Sequence, residues 1–382
     1  MNKIRTIDKD SGAVVCDAGC ILEELNSQIS QHGLLMPIDL GAKGSCHIGG
    51  NISTNAGGIR YIKYGSLHGS VLGLEVLPNG KILNNLSTLL KDNTGYNLNQ
   101  IFIGAEGTLG IITGVSILAA KKPKHNNLII MGMNSFENVM QTFRKTKSEL
   151  LEILSAFEYC DNLSMDITLK GLQKPNPFNR FYNYYVFIET SGSNQDHDHE
   201  KIMNLFEGLQ SSKIIENGIM ASDMSQIAKL WELRESMIVA HTKFGDTYTL
   251  DLSLPITKAD QAVTDLKDYL EKINVYDKTK PYDDSLHYVK CVTGFGHIGD
   301  GNLHLNIIVD KYDDSFTATL EKFVFGYVRD LKGSISAEHG VGLLKPDILH
   351  YSKSQTAIEL MKTIKASIDP KGIMNPYKVL PA

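Results

Sequence analysis

The sequence predicts an α+β protein built in more than one part. Three observations carry this. The chain has 382 residues, more than one compact core usually organises. Residues 1–120 are rich in glycine and in short β-branched runs bounded by turns. After AAKKPKHNN at 119–127, a polar, basic, proline-containing boundary, the texture changes to amphipathic helical stretches alternating with strands. That pattern is expected of an antiparallel sheet carrying helices. The expected parts are residues 1–120, residues 121–345, and a helical C-terminal segment at 346–382.

Composition removes several classes of function. A formal net charge of −5 gives no electrostatic reason to invoke nucleic acid. No stretch of about 18 apolar residues occurs, so no transmembrane helix is expected. The five cysteines are odd in number and scattered, which suggests a reducing compartment rather than a disulfide framework. Cys16 and Cys20 lack a second pair at zinc-site spacing and read as buried thiols. The opening residues show neither an Arg-rich presequence nor an apolar signal core, so no targeting segment is visible.

The elements follow in order. MNKIRTIDKDSGAVVCDAG reads as strand material from its first residues, and SVLGLEVL and GIITGVSIL read as further strands. Ser135 is the expected N-cap of a helix over SFENVMQTFRKTKSELL. EYCDN and YYVFIETSG lie in strands, and DHDHEKIMNLFEGLQ is a helix with acidic residues in its first turn. DMSQIAKLWELRESMIVAHTKF reads as one long helix, TYTLDLSLP as a strand, and TKADQAVTDLKDYLEKI as an amphipathic helix. The last helix, from TAIELMKTIKASI, is stopped by Asp369-Pro370 and leads into an extended end.

Two glycine-rich blocks interrupt the first part, Leu40 to Gly69 and Phe102 to Gly114. Glycine permits positive φ and lets another group approach the backbone. Neither block fits GxxxxGK[ST], and neither gives GxGxxG between a strand and a helix. Tight turns and a backbone cradle for a ligand both remain open.

GFGHIGDGNLHLNI, from Gly294 to Ile307, carries two histidines seven residues apart. Its glycines make a helix improbable. A strand, a Gly299-Asp300-Gly301 turn and a second strand fit better, and then His297 and His304 can approach across the hairpin. In the second strand His304 and Asn306 point the same way. Two imidazoles make half a metal site, or a structural pair. SAEHGVG adds adjacent Glu338 and His339, which point differently if extended. Arg234, on LWELRES, is either a surface cation or a bidentate carboxylate partner.

The ordered run PIDLGAKGSCHIGGNISTNAGGIRYIKYGSLHGSVLGLEVL and IFIGAEGTLGIITGVSI resembles the FAD-binding domain of the FAD-linked oxidase family, of the vanillyl-alcohol oxidase type. GFGHIGDGNLHLNI, ISAEHGVGLLK and DPKGIMNPYKVLP look like the C-terminal part of its 2-hydroxyacid dehydrogenases, as do KDNTGYNL, LSAFE, ETSGSN and LDLSLP. The resemblance covers essentially the whole chain. It implies a partial FAD-binding domain over 1–120, lacking the half with the pyrophosphate loop. A substrate and metal-binding (cap) domain follows over 121–345, and 346–382 returns to the flavin. It places FAD beside Ser45, Gly49, Gly50, Asn55, Gly57 and Gly58, with Gly107 and Ile112 near the adenosine end and Asn375 near the flavin ring. It implies His297, His304 and Glu338 as ligands of Zn2+ or a similar divalent metal. His339 becomes the catalytic base and a substrate contact, with Arg234 and Asn306 as further substrate contacts. Comparable members carry threonine at the position of Ile238 and lysine at that of Thr249, both holding substrate. Lys243 is a candidate spatial substitute.

The implied reaction is oxidation of D-2-hydroxyglutarate to 2-oxoglutarate, with hydride passing to FAD. Electron-transfer flavoprotein is the implied acceptor and the mitochondrial matrix the implied location. Two alternatives stay open: oxidation of D-lactate or another D-2-hydroxyacid, and a non-catalytic truncated product unable to retain FAD.

Overall fold

The computed structural model describes residues 1–221, 223–282 and 286–381. They form two compact units. One comprises Met1–Lys122 with Ser336–Ala382, the other Pro123–Ile335. The chain therefore leaves the first unit once and returns to it once.

In the first unit β1 (Ile4–Ile7) and β2 (Ala13–Asp17) form a hairpin. Helices α1 (Leu22–Ser30) and α2 (Ile48–Ser53) follow, then β3 (Val71–Leu77), β4 (Leu83–Asn84) and β5 (Ile111–Leu118). The sheet order is β1-β2-β5-β3-β4. The strands expected from GAVVCDAG, SVLGLEVL and GIITGVSIL all form. Val14, Cys16, Leu74, Val115 and Ile117 from the sheet pack with Leu25 and Ile29 of α1 into one core. Burying each large aliphatic side chain contributes about 1.5–3 kcal/mol.

The second unit is built on seven antiparallel strands: β6 (His125–Met133), β7 (Leu154–Asp161), β8 (Tyr184–Gly192), β9 (Asn217–Ala221), β10 (Asp246–Ser253), β11 (Val289–Gly296) and β12 (Asn302–Val309). Their order is β9-β6-β8-β7-β11-β12-β10. Helices α3 (Phe136–Glu149), α4 (Asn162–Leu172), α5 (Gln195–Ser211), α6 (Met224–Glu235), α7 (Met237–His241), α8 (Ala259–Lys272) and α9 (Asp314–Asp330) connect them. Ser135 caps α3 as expected, accepting from the Asn138 N–H. Strand β6 begins at His125, inside the stretch read as a boundary. Its apolar continuation, LIIMGM, draws the polar residues ahead of it into the ladder.

The long helix expected from 223 to 244 is two helices. It breaks at Ser236, whose ψ of 1° leaves the helical range. Neither proline nor glycine marks the break in the sequence. Packing explains it: the turn lets α7 approach α4, where a Cβ at Gly171 would stand 3.0 Å from that of Ala240.

The C-terminal part of the first unit holds α10 (Gln355–Ile368), whose Ile364 and Ile368 pack on the core of 1–122. Its helix ends before Asp369-Pro370, as expected. The segment from 336 to 345 belongs to this unit, not to the substrate domain in which it was placed. The Glu106 carboxylate accepts the N–H groups of Val341 and Gly342 at 2.7 and 2.8 Å, which ties the segment to the first unit.

Candidate active site and cofactor-binding segments

Strand register gathers the site residues of the second unit on one sheet face. In β11 and β12, Phe295 is opposite His304 and Thr293 is opposite Asn306. In β10, Asp251 is opposite His304 and Thr249 is opposite Asn306. In β7 the last ladder pairs are Phe295 with Cys160 and Gly296 with Tyr159. One step further along the same ladder, His297 meets Glu158. Directly opposed residues share a face, so Glu158, Thr293, Phe295, His297, His304, Asn306, Asp251 and Thr249 line one surface.

The GFGHIGDGNLHLNI hairpin forms as expected. The N–H groups of Asp300, Gly301 and Asn302 converge on the His297 carbonyl at 3.1–3.2 Å. Gly301 has φ +88°, and a Cβ there would lie 2.7 Å from the Leu254 carbonyl oxygen, so the turn requires glycine. The two imidazoles stand edge to face with ring centres 5.3 Å apart. Both are largely shielded from solvent.

Arg234 is not a surface cation. It projects from α6 at 7% exposure, donates from Nε to Glu158 Oε2 at 2.9 Å, and lies 4.8 Å over the Phe295 ring. Its Nη2 is 2.8 Å from the same oxygen, close enough for an ion pair. The angle does not suit a hydrogen bond, however, and Nη2 is buried without an aligned acceptor among the described residues. Asn306 Nδ2 donates to the His304 carbonyl at 3.1 Å, while its Oδ1 is buried with no donor among those residues.

Glu158 is the buried partner of these residues that the sequence reading did not single out. It is 0% exposed. Its Oε1 accepts from His297 Nδ1 at 2.7 Å, while Oε2 serves Arg234. Burial alone would raise its pKa; His297 and the Arg234 guanidinium beside it outweigh this and lower it to about 2. The signal was a single acid inside the apolar strand LSAFEYCD, where an unpaired charge would be costly.

A second buried carboxylate, Glu189 on β8, accepts from Trp231 Nε1 at 3.1 Å and from the Ser155 hydroxyl at 2.7 Å. Trp231 also stacks on Phe187. Trp231 and Arg234 are neighbours one turn apart on α6, so both carboxylates fix this helix on the sheet. His241 of α7 is buried. Desolvation lowers its pKa, so the ring stays neutral, and Nε2 accepts from the Thr293 hydroxyl at 3.0 Å.

Two expected variations also have a place. Thr249 is exposed beside Asn306, while Ile238 is half-buried on α7. Lys243 does not stand in for the absent lysine: its Nζ donates to the Gly171 carbonyl.

Within the first unit the residues expected at FAD separate into two kinds. Gly49, Asn55 and Gly58 have structural work. A Cβ on Gly49 would meet that of Ala18 at 2.5 Å, and one on Gly58, at φ +131°, would lie 2.4 Å from the Asp39 oxygen. Asn55 has φ +49°, and its side-chain oxygen accepts from the Ser66 hydroxyl and the His68 N–H. Ile112 turns its side chain into the core, which leaves only its backbone to offer. Ser45 and Gly50 are exposed, and the space at Gly50 is open to 4 Å.

Gly107 and Asn375 do come together. Asn375 Nδ2 donates to the Glu106 carbonyl at 2.5 Å, and a Cβ on Gly107 would touch the Asn375 side chain at 3.8 Å. A Cβ on Gly57 would lie 3.1 Å from Glu338 Oε2, and His339 Nε2 is 3.8 Å from Glu338 Oε1 with the imidazole largely exposed. Gly57 thus lies beside Glu338 and Gly107 beside Asn375, while the Cβ position of Gly50 is open. No helix among the described residues is long and apolar enough to cross a membrane.

Residues 1–85 match the FAD binding domain family, and residues 122–379 match the C-terminal domain of the FAD linked oxidases. The chain is 47% identical over 382 residues to the mitochondrial D-2-hydroxyglutarate dehydrogenase of Danio rerio, covering 100% of this chain and 69% of that protein. It is 48% identical over 380 residues to a putative mitochondrial D-lactate dehydrogenase of Schizosaccharomyces pombe, covering 99% of this chain and 71% of that one. Among solved structures, alkyldihydroxyacetonephosphate synthase superposes with a TM-score of 0.70 at 17% identity, covering 98% of this chain and 65% of that one. This last likeness concerns the fold, that of the vanillyl-alcohol oxidase type. With a family profile matched over more than half of its length and relatives nearly half identical along all of it, the chain belongs to the FAD-linked oxidases, as one of their FAD-dependent hydroxyacid dehydrogenases.

Proposed function

We propose that the protein oxidises D-2-hydroxyglutarate to 2-oxoglutarate, using FAD and a divalent metal of the zinc type. The observation that carries the substrate assignment is a buried guanidinium beside a buried amide: Arg234 Nη2, ion-paired with Glu158 but not aligned as a hydrogen bond, and Asn306 Oδ1, which has no donor among the described residues. A buried polar group without a partner costs about 1–3 kcal/mol. A hydroxyacid brings carboxylate oxygens for the guanidinium and a hydroxyl whose single proton can be hydrogen-bonded to the amide oxygen until His339 removes it. The substrate name comes from the relatives.

His297, His304 and Glu338 are the proposed metal ligands, a borderline N/O donor set suited to zinc. The support lies in the hairpin and in chain reach. Ser334 bridges to Ser253, and Ser253 pairs with Asn302 at the start of the strand that carries His304. Glu338 follows Ser334 by four residues, a span of at most about 14 Å when extended.

In this reading Arg234 holds the substrate carboxylate and Asn306 orients the hydroxyl. His339, exposed on its loop, removes the hydroxyl proton as general base and carries it on the imidazole. Phe295 and the packed sheet face exclude water. FAD supplies a hydride acceptor when bound, and the metal supplies Lewis acidity towards the hydroxyl and carboxylate oxygens. Electron-transfer flavoprotein as acceptor and a mitochondrial location are part of the same proposal; the latter follows the names of the relatives.

The test is dye reduction by the purified full chain with D-2-hydroxyglutarate, before and after chelation and after zinc is restored. Activity that chelation removes and zinc returns supports the reading. Flavin-loaded protein that never turns over D-2-hydroxyglutarate rules it out. D-lactate is the second reading. It is favoured by neutral Thr249 beside Asn306 and by the commitment of Lys243 to Gly171, which leave a distal carboxylate less well met. The ratio of kcat/KM for the two acids decides between them.

A further inference from the structure

One feature of the second unit goes beyond fixing α6 on the sheet: a fully buried carboxylate divided between two partners with different tasks. Glu158 gives Oε1 to His297 and Oε2 to Arg234, at 2.7 and 2.9 Å. A buried ion pair is weak evidence of a stabilising purpose, because apolar side chains of similar volume often serve stability equally well. Its geometry is more informative.

An ionised carboxylate only accepts hydrogen bonds. His297 must therefore carry a proton on Nδ1. In the neutral ring Nε2 then holds the lone pair, the form a metal requires. The same carboxylate sets the plane of the Arg234 guanidinium, which Phe295 covers from one side at 4.8 Å. Glu158 itself is held in the β7 ladder, between Phe187 of β8 on one side and His297 on the other.

We infer that Glu158 is a positioning residue that fixes the His297 tautomer and the Arg234 guanidinium together, so that the metal-ligand histidine and the carboxylate-binding arginine are set by one anion. The inference rests on the functional reading above for what the two partners bind. Its test separates the two.

The first readout needs no metal. In the metal-free full chain with 15N-labelled histidine, long-range 1H–15N spectra should show His297 protonated on Nδ1 and unprotonated on Nε2. Glu158→Gln should move the proton towards Nε2, and His297→Asn supplies the assignment. A wild-type His297 protonated on Nε2, or a spectrum unchanged in Glu158→Gln, overturns the inference. The second readout is zinc affinity, by competition with a chromophoric chelator. Glu158→Gln is expected to bind zinc about 10–100-fold more weakly; equal affinity overturns the inference. If the wild type shows no His304-dependent zinc binding, the metal reading fails, and the tautomer spectrum still decides the role of Glu158. The third readout is 2-oxoglutarate affinity by calorimetry. About tenfold weakening in Glu158→Gln is expected, and an unchanged value overturns the shared role. Should Glu158→Gln not fold, Glu158→Asp keeps the charge at shorter reach and is read in the same way. A weakened Nδ1–H signal and weaker zinc binding support the inference; wild-type values overturn it.

Discussion

Arg234 and Glu158 face each other inside the second unit at 7% and 0% exposure, with Nε and Oε2 2.9 Å apart. A guanidinium can bond Glu158 through one edge and a substrate carboxylate through another; an ammonium cannot hold that plane. Arg234→Lys should therefore lower kcat/KM for the hydroxyacid by about 10–100-fold, about 1.4–2.7 kcal/mol, mostly through KM. Steady-state kinetics on flavin-loaded protein checks this.

Trp231 is the only tryptophan in the chain, so its fluorescence reports on α6. It is buried at 8% and bonded to Glu189. Trp emission should be blue-shifted in the native protein and should shift red in one step with urea. Glu189→Ala leaves the indole N–H and the Ser155 hydroxyl without this acceptor. It should cost about 1–3 kcal/mol for each group left unpaired, read from the urea midpoint by circular dichroism.

Neighbouring glycines in α2 should respond in opposite ways. Gly49→Ala drives a methyl into Ala18 and should destabilise the first unit by about 1–3 kcal/mol. Gly50→Ala meets open space and should leave the melting temperature unchanged or slightly raised. If flavin lies along this backbone, Gly50→Ala should still lower the flavin absorbance retained per protein.

Asp369 links α10 to the residues after it. Its carboxylate accepts from Lys365 Nζ and from the N–H groups of Ile373 and Met374. The Lys365 bond, with those backbone bonds, lowers its pKa below 3.8. A depressed folded-state pKa stabilises above the unfolded pKa and is lost as pH falls through the folded value. Asp369→Asn should therefore lower the melting temperature at neutral pH, and its difference from wild type should shrink as pH drops below about 4. A constant difference across that range would contradict the linkage.

Much of this was legible because it is local. The hairpin from Gly294 to Ile307 follows from glycine punctuation and a two-residue pleat, and the Ser135 cap and the Asp369-Pro370 stop follow from short-range chemistry. Glu158 was not legible as a site residue, since its partners lie 76 and 139 residues away and only the register of β7 beside β11 brings them together. The break at Ser236 was hidden for a similar reason. The close packing that accompanies it, of Ala240 on Gly171 of α4, is remote in sequence, and nothing in LWELRESMIVAH opposes a continuous helix. The placement of 336–345 depended on Glu106, an acid in a glycine-rich loop whose backbone partners at Val341 and Gly342 no periodicity could indicate.

The interrupted path of the first unit also bears on biosynthesis. Residues 1–122 are made before the second unit, but 336–382, which belong with them, are made after it. At roughly 5–20 residues per second, the ribosome needs on the order of 10–40 s to make the second unit between them. During that time the apolar surface that later receives Ile364 and Ile368 waits without its cover. The second unit, encoded without interruption, can fold while it emerges. Its completion therefore precedes that of the first unit, and chaperone protection is needed most by residues 1–122, which are made before the segment that joins them.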